Sequence, residues 1–540
     1  METAHWLKRY AIYQIYPRSF KEAKGGKSGT GNIRGITEQL DYLQWLGVRI
    51  VWLSPIFQSP MKDFGYDISD YLKIDPIFGD QSDLDDLIFQ LHSKGMYLLL
   101  DLVPNHTSDQ HLWFQKSRNM ESAYADYYVW KDGKTAGVPP NNWKSCFGGS
   151  AWSFCPKRRQ WYLHQFLPEQ PDLNFRCPAV RKEMIRVLQH WLDVGVDGFR
   201  IDATSHLMED EEFRDNPDTT PDATTDDDSH HYSTSGTGGT SAAQSASKKE
   251  SDVLPQYHLD QPETYELIRE WVDFVRDYGR RRGKHIAMVT ESYSNMTEMA
   301  KYYATGVDFP FNFRLLCEWR LDTSSAINLK RWISEWLEMT ELGNYWPNWV
   351  LSNHDQPRLA ERLGGIDRLN IAHMLILLLP GTATCYQGDE LGLENIQADP
   401  MSHASFFRRL LALKQNDPIL VRSTGIRFLP CKHEEMILGF ERFNRDADGT
   451  ESTERLMILM HVGFSSATDE VVEEKLPDNY CKWGEVVLTT PGVLSHIRSG
   501  TVQLAVGQGL VIKISKPSPA KNLREADEKN AMAPPAKKAR

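Results

Sequence analysis

Short runs of apolar, β-branched and aromatic residues alternate over residues 6–400 with amphipathic stretches of helical length. The runs predict strands at 11–16, 49–53, 97–102, 198–201, 285–290, 307–311, 349–351 and 382–386. Between them, apolar residues recur at helical spacing over 36–46, 84–94, 179–193, 263–278 and 367–379, which predicts helices with one face turned to a core. Alternating strand and helix is the signature of βα units on a parallel sheet, and eight such units predict a (β/α)8 TIM barrel with insertions.

Two stretches interrupt the rhythm. About 70 residues rich in Trp, Tyr, Gly and Pro follow the third strand, far more than a βα loop needs, so a small domain is expected at 106–172, dividing the barrel into 1–105 and 173–422. Residues 215–252 are dense in Thr, Ser, Asp and Gly with almost no apolar side chains, which predicts a disordered loop after strand four. From 423 to 516 the pattern changes to short alternating runs such as 436–440, 456–461, 486–488 and 510–514, the mark of a C-terminal antiparallel β domain. Residues 517–540 read as a polar, disordered tail.

Composition narrows the function. With 540 residues, 41% hydrophobic, the chain can bury a large core. A net charge of -12 offers no basic footprint for nucleic acid, so a neutral or polar small molecule is the expected partner. Residues 1–6 show no charged region followed by an apolar one and no run of about 18 apolar residues occurs, so neither a secretory leader nor a membrane segment is expected, with a cytoplasmic location by default. The seven cysteines are scattered without a CxxC pattern; reduced structural thiols are the simpler expectation, with a Cys146–Cys155 bridge as the alternative.

Catalytic groups of a TIM barrel sit at the C-terminal ends of its strands. Strand four ends Arg200-Ile-Asp202, strand five ends Thr-Glu291 and strand seven ends Asn353-His-Asp355. One such carboxylate is ordinarily a helix cap, but three beside an arginine and two histidines crowd like charge, which only a functional site has reason to tolerate. Glycoside hydrolysis needs two carboxyl groups across the scissile bond, about 5 Å apart when configuration is retained. Asp202 and Glu291, from neighbouring strands, supply such a pair, with Arg200 on the same face expected to keep Asp202 ionised as a nucleophile and Glu291 left as proton donor.

The stretches 13–20, 58–71, 101–109, 170–174, 198–203 and 353–358 resemble the α-amylase superfamily, and most of all its maltase and oligo-glucosidase branch. That resemblance implies Asp202 as nucleophile, Glu291 as general acid/base and Asp355 as the group that distorts and holds the sugar, in a retaining α-glucosidase without cofactor. It further implies that Asp67, His106, Arg200 and His354 bind glucose, with Phe166 and Gln170 lining the inserted domain's side of the pocket. The plainer roles are a turn residue for Asp67, a buried hydrogen-bonded histidine for His106, and core and surface positions of one helix for Phe166 and Gln170. Ala203, directly after the nucleophile, resembles enzymes of α-1,4 bonds, whose α-1,6 counterparts carry Val there.

Two segments depart from the family. The first βα loop, 21–32, offers Glu22 and Asn32 among lysines, so no calcium is expected there and no metal is assigned. After strand eight, 394–400 runs almost directly into a helix at 405–415, where relatives carry a long loop that walls the leaving-group side; specificity is more exposed to this change than bond cleavage. The chain also resembles the non-catalytic heavy chains of heteromeric amino-acid transporters, and under that alternative its partner is a transporter light chain rather than an α-glucoside.

Overall fold

Residues buried on both faces of a parallel sheet form continuous apolar runs, and the eight strands obey that rule. They are Ile12–Ile15, Ile50–Leu53, Tyr97–Leu102, Gly198–Ile201, Ala287–Thr290, Phe309–Pro310, Asn348–Val350 and Thr382–Tyr386. The computed structural model describes residues 5–514 except 27, 218–253, 321–324, 394–400, 446–448, 464–470, 478–479, 481–483, 491–492 and 497–499. The expected loop at 215–252 beyond its first three residues, the short connection 394–400 and the tail at 517–540 therefore lie outside the described residues.

The eight strands make one sheet in the order six, five, four, three, two, one, eight, seven, with every neighbouring pair parallel. This is the expected TIM barrel. Strands six and seven share no ladder; Asn348 spans the gap instead, its Oδ1 accepting from Asn312 N at 2.9 Å and its Nδ2 donating to Pro310 O at 2.6 Å. Strands four and five approach so closely that a Cβ on Gly198 would lie 2.4 Å from Ala287 O, so glycine is required where the two strands meet.

The helices follow their sequence signals, with one exception. Gln81–Ser93 opens on a reciprocal Asp80/Asp83 capping box, and Pro178–Val194 starts on proline and stops at Gly195, whose φ is 118°. Pro262–Arg282, Leu369–Leu378 and Met401–Asn416 occupy the other expected positions. The helix expected at 36–46 is broken at Gln39 into Ile33–Glu38 and Leu40–Leu46.

Between strand three and helix Pro178–Val194, the strands Trp130–Lys131, Trp152–Cys155 and Gln160–Leu163 form an antiparallel sheet over its own small core of Val129, Trp143, Trp152 and Leu163. Beyond the barrel, a five-stranded antiparallel sheet runs Gly425–Phe428, Ile437–Arg445, Glu451–His461, Gly509–Ile514, Gly484–Thr489. Its strands are two-faced: Leu456, Ile458 and Met460 join the barrel core, while Met457 and Leu459 pack against the separate cluster of Val472, Val502 and Leu504. Arg442, fully buried at the first interface, donates to the carbonyls of Leu378 at 2.6 Å, Gly425 at 3.2 Å and Ser423. Among the described residues, no disulfide joins cysteines 146, 155, 177, 317, 385 and 431.

Candidate active site

Strands three, four, five and seven deliver Asp101, Arg200 with Asp202, Glu291 and Asn353 to Asp355 to one mouth. Arg200, 1% exposed, is the hub. Period-two alternation puts it on the same face as Asp202, and the parallel register sets it beside Asp101 on strand three and Val289 on strand five, two residues before Glu291. Its Nη1 donates to Asp101 Oδ1 at 2.8 Å and Asp202 Oδ1 at 2.5 Å, and its Nη2 pairs with Glu291 Oε1 at 2.9 Å. Trp52 lies below, with the guanidinium carbon 5.0 Å from its ring centre. Held on two nitrogens of one planar fork, the carboxyl groups of Asp202 and Glu291 come close enough to share a side-chain hydrogen bond.

The turn after strand four clamps Glu291 from its other side. Ala203 adopts a left-handed conformation, φ 49° and ψ 40°, that aims its N–H at Glu291 Oε2, 2.9 Å away. Thr204 donates to the backbone carbonyl of Glu291 through its amide at 3.0 Å and its hydroxyl at 2.6 Å. A left-handed alanine is costly outside such a network, and here the cost positions an acid.

Four carboxyl groups around one guanidinium leave a negative excess, so protons are held tightly. Burial raises Asp101 to about 7, opposed by Arg200 and aided by the charge of Glu291. Asp202 also stands well above the usual carboxylate range, through burial first and then repulsion by Glu291 and Asp101, which together outweigh Arg200. The expected contact of Arg200 with Asp202 forms and opposes this rise, while one positive charge is divided among three acids.

Asp355 keeps 37% of its side chain exposed, and still the surrounding protein and Glu291 raise it to about 7. The backbone turn that presents it is tied by Asn353 Oδ1, which accepts from Asp355 N and Gln356 N, each at 3.1 Å. His354 lies between the rings of Tyr16 and Tyr66, 5.5 and 5.2 Å away and nearly parallel to both. Gln14 Nε2 donates to its Nδ1 at 2.9 Å, so the ring proton belongs on Nε2, 3.1 Å from Asp355 Oδ1. Burial and the charge of Arg200 lower His354 to about 3, so it is neutral at physiological pH.

The remaining expected residues form a second wall. His106, buried and lowered to about 3 by burial, meets Gln170 Nε2 at 3.0 Å, and Gln170 donates onward to Asp63 Oδ2 at 2.8 Å. The Phe166 ring lies 4.9 Å from that of His106, 5.0 Å from His206 and 6.2 Å from Phe147. Phe166 and Gln170 share no helix: strand Gln160–Leu163 is followed by an irregular turn, and the spacing of four has no helical meaning there. Asp67 is fully buried, its oxygens accepting from Ser59 Oγ, Lys62 N and Asp63 N at 2.9–3.0 Å, so it shapes the turn that carries Asp63.

Four groups at the mouth escaped the sequence reading: Asp101, Tyr66, Asp63 and the Ala203 amide. Tyr66 donates to Asp101 Oδ2 at 3.1 Å and stacks on His354, and Asp63, raised to about 6 by burial and opposed by its Gln170 hydrogen bond, is repelled by Asp67 and Asp355. Asp101 was legible in principle, because parallel pairing places it directly opposite Arg200.

Among the described residues, no group of three or more His, Cys, Asp or Glu side chains is gathered as a metal would require. In the first βα loop Glu22 accepts from Ser28 N, Ser28 Oγ and Gly29 N, and Asn32 caps the next helix through Gly35 N. Away from Arg200, buried Asp172 and Glu209 are both raised by burial, Asp172 to about 7, and the charge of Asp172 adds to the rise of Glu209. Gln165 Nε2 already donates to Asp172 Oδ2 at 2.8 Å and to His206 O at 2.9 Å.

A barrel with this ring of acids is that of a family, and the comparison is direct: residues 14–425 match the model of the α-amylase catalytic domain. The chain belongs to the α-amylase family. Over 399 residues it is 40% identical to an alpha-glucosidase of Culex pipiens, a match covering 73% of this chain and 64% of that protein. It is 38% identical over 407 residues to the human amino acid transporter heavy chain SLC3A1, covering 73% of this chain and 55% of the relative. The match thus spans less than two thirds of either relative's length. Among solved structures, the trehalose-6-phosphate hydrolase TreA of Bacillus licheniformis superposes with a TM-score of 0.77 at 25% identity, over 95% of this chain and 100% of that one. No helix among the described residues is long and apolar enough to cross a membrane.

Proposed function

We propose that the protein is a retaining α-glucosidase that hydrolyses the terminal α-1,4-linked glucose of maltose and short α-glucosides. The observation that carries this reading is the pairing of Asp202 and Glu291 on one guanidinium, close enough to hydrogen-bond to each other. Carboxyl groups this near suit a nucleophile and an acid acting on one bond, whereas inversion needs about 6.5–9.5 Å to admit a water between them. Asp202 attacks the anomeric carbon while Glu291 protonates the glycosidic oxygen; Glu291 then takes a proton from the water that releases glucose.

Arg200 makes its shortest contact with Asp202, 2.5 Å against 2.9 Å for Glu291, so the guanidinium is best placed to stabilise charge on Asp202. Asp355 and neutral His354 hold sugar hydroxyls from the opposite side, and His106 with Phe166 and Gln170 closes the wall. Ala203, small and left-handed, leaves the α-1,4 geometry open.

Glucose release from maltose by the purified chain tests this beside Asp202→Asn and Glu291→Gln. Activity in the parent, lost by at least about 10³-fold in both variants, supports the hydrolase. Similarity to the transporter heavy chain favours a second reading, a binding subunit for a membrane transporter. Equal inactivity of all three proteins on maltose and isomaltose selects it.

A further inference from the structure

We propose that Phe64 is the leaving-group platform of the pocket, an aromatic face on which the second sugar of an α-glucoside stacks while the first lies among the acids. The inference rests on the α-glucosidase reading above and names the residue that selects the leaving group. Phe64 lies in the loop between strand two, Ile50–Leu53, and the short strand Asp70–Ile74. It is 53% exposed, and its backbone is left-handed, φ 48°, followed by Gly65 at φ 117°. Tyr66 N donates to Asp63 O at 3.0 Å, which closes a four-residue turn with both central residues at positive φ. Such a turn ordinarily takes Asn-Gly or Asp-Gly, and a bulky side chain at its first central position is strained.

Strain of this kind persists only where the surroundings hold it in place. Here Asp67 accepts from the amides of Lys62 and Asp63 at the start of the turn, and Tyr16 donates its hydroxyl to Phe64 O at 3.2 Å. Packing does not account for the strained ring. Phe213, also left-handed at φ 55°, is part-buried with its ring 5.5 Å from that of Trp143 and 5.9 Å from that of Trp152. Phe89 and Trp45 are exposed as well, but on helices of ordinary backbone. Among the described aromatic residues, Phe64 alone combines a left-handed backbone with an exposed ring.

The residues around it belong to the pocket. Asp63, next in the chain, accepts from Gln170 Nε2 at 2.8 Å and feels the charge of Asp355. Tyr66, two residues on, stacks on His354 at 5.2 Å and donates to Asp101 Oδ2 at 3.1 Å. Tyr16, which holds the Phe64 carbonyl, stacks on His354 at 5.5 Å. Phe64 thus projects into solvent from a turn whose other members line the first-sugar site, one step outward from the acids. The Arg18 guanidinium carbon lies over its ring, 5.5 Å from the centre, and steadies it. An aromatic face carries partial negative charge, and the C–H bonds on one face of a pyranose are weakly positive, so a second sugar ring stacks there. The platform therefore favours leaving groups that are rings over short alkyl chains.

The test uses the full chain with two substrates, maltose and α-glucosyl fluoride. Both place a glucose among the acids, but only maltose carries a second ring, since fluoride departs as an ion. Phe64→Asn removes the aromatic face and puts at φ 48° a residue that accepts it, so the variant is expected to melt no lower than the parent. The ratio of kcat/KM for maltose to that for α-glucosyl fluoride is expected to fall about five- to tenfold, carried by KM for maltose. Phe64→Tyr, which keeps the ring, is expected to hold the parent's ratio. If Phe64→Asn fails to fold, Phe64→Leu takes its place, with the same fall expected. A ratio within about twofold of the parent's in the ringless variant, or an equal fall in Phe64→Tyr, overturns the platform and leaves the hydrolase standing. A parent inactive on both substrates overturns the hydrolase reading and the platform with it.

Discussion

Replacing Arg200 by glutamine removes the one positive charge beneath three buried carboxyl groups, held at 2.5, 2.8 and 2.9 Å. Stripping one partner from a buried ion pair costs about 3–5 kcal/mol, because the remaining charge is left uncompensated. Part of that loss is recoverable by proton uptake. Asp101 already titrates near 7 with the guanidinium in place, and without it Asp101 and Asp202 both move further up. The folded variant then binds more protons than the unfolded chain, whose carboxyls titrate near 4, so its stability falls as pH rises from about 4 through 7 and beyond. Each extra proton held contributes about 1.4 kcal/mol per pH unit to that slope. Urea unfolding followed by tryptophan fluorescence, run on parent and variant from about pH 5 to about pH 8, reads the difference directly. The deficit is expected to be near 1 kcal/mol at the acid end and about 3–5 kcal/mol at the alkaline end. Parallel pH profiles, or equal stability at the alkaline end, refute the view of Arg200 as the charge that holds these acids together.

Other substitutions probe separate links. Ala203→Val places a β-branched side chain at φ 49° and should cost about 1–2 kcal/mol, seen as a lowered Tm, and weaken the amide contact that positions Glu291, seen as a lower kcat at nearly unchanged KM. Arg442→Met should leave the carbonyls of Leu378, Gly425 and Ser423 buried without donors, at about 1–3 kcal/mol each, and limited proteolysis should then cut first at the junction of barrel and C-terminal sheet. For the unaltered protein, Asp101, Asp172 and Asp355 are raised to about 7 and Asp63 and Asp389 to about 6, so these groups withdraw stability as pH climbs from about 4 to 7. His106 and His354, lowered to about 3, act oppositely, withdrawing stability as pH falls below about 6.5, so unfolding against pH should show a maximum rather than a monotonic slope.

The barrel was legible because its strands are unbroken apolar runs such as Ile50–Leu53 and Ala287–Thr290, each bounded by a polar residue that marks its open end. Asp202, Glu291 and Asp355 announced themselves for the same reason, as carboxylates where such runs stop. Contacts set by pairing across strands were harder. Nothing local marks Asp101 as a partner of Arg200, since they are 99 residues apart and meet only through the parallel register. Phe166 and Gln170 carried a helical spacing into a segment that a preceding strand and Pro168 keep irregular, and Gln39 split a helix whose apolar period ran on without a break. The charge balance could not be read at all from spacing, because it depends on how many acids one guanidinium must serve.

A ring stitched at one place by a carboxamide has a consequence for its mouth. Glu291 arrives on strand five and Asp355 on strand seven, so the split between strands six and seven lies between the acid and the group facing it. Everywhere else the circumference is set by backbone bonding that no point substitution removes; here the spacing of strands six and seven leans on the Asn348 side chain, and a change at this residue would be felt at the mouth where Asp355 stands.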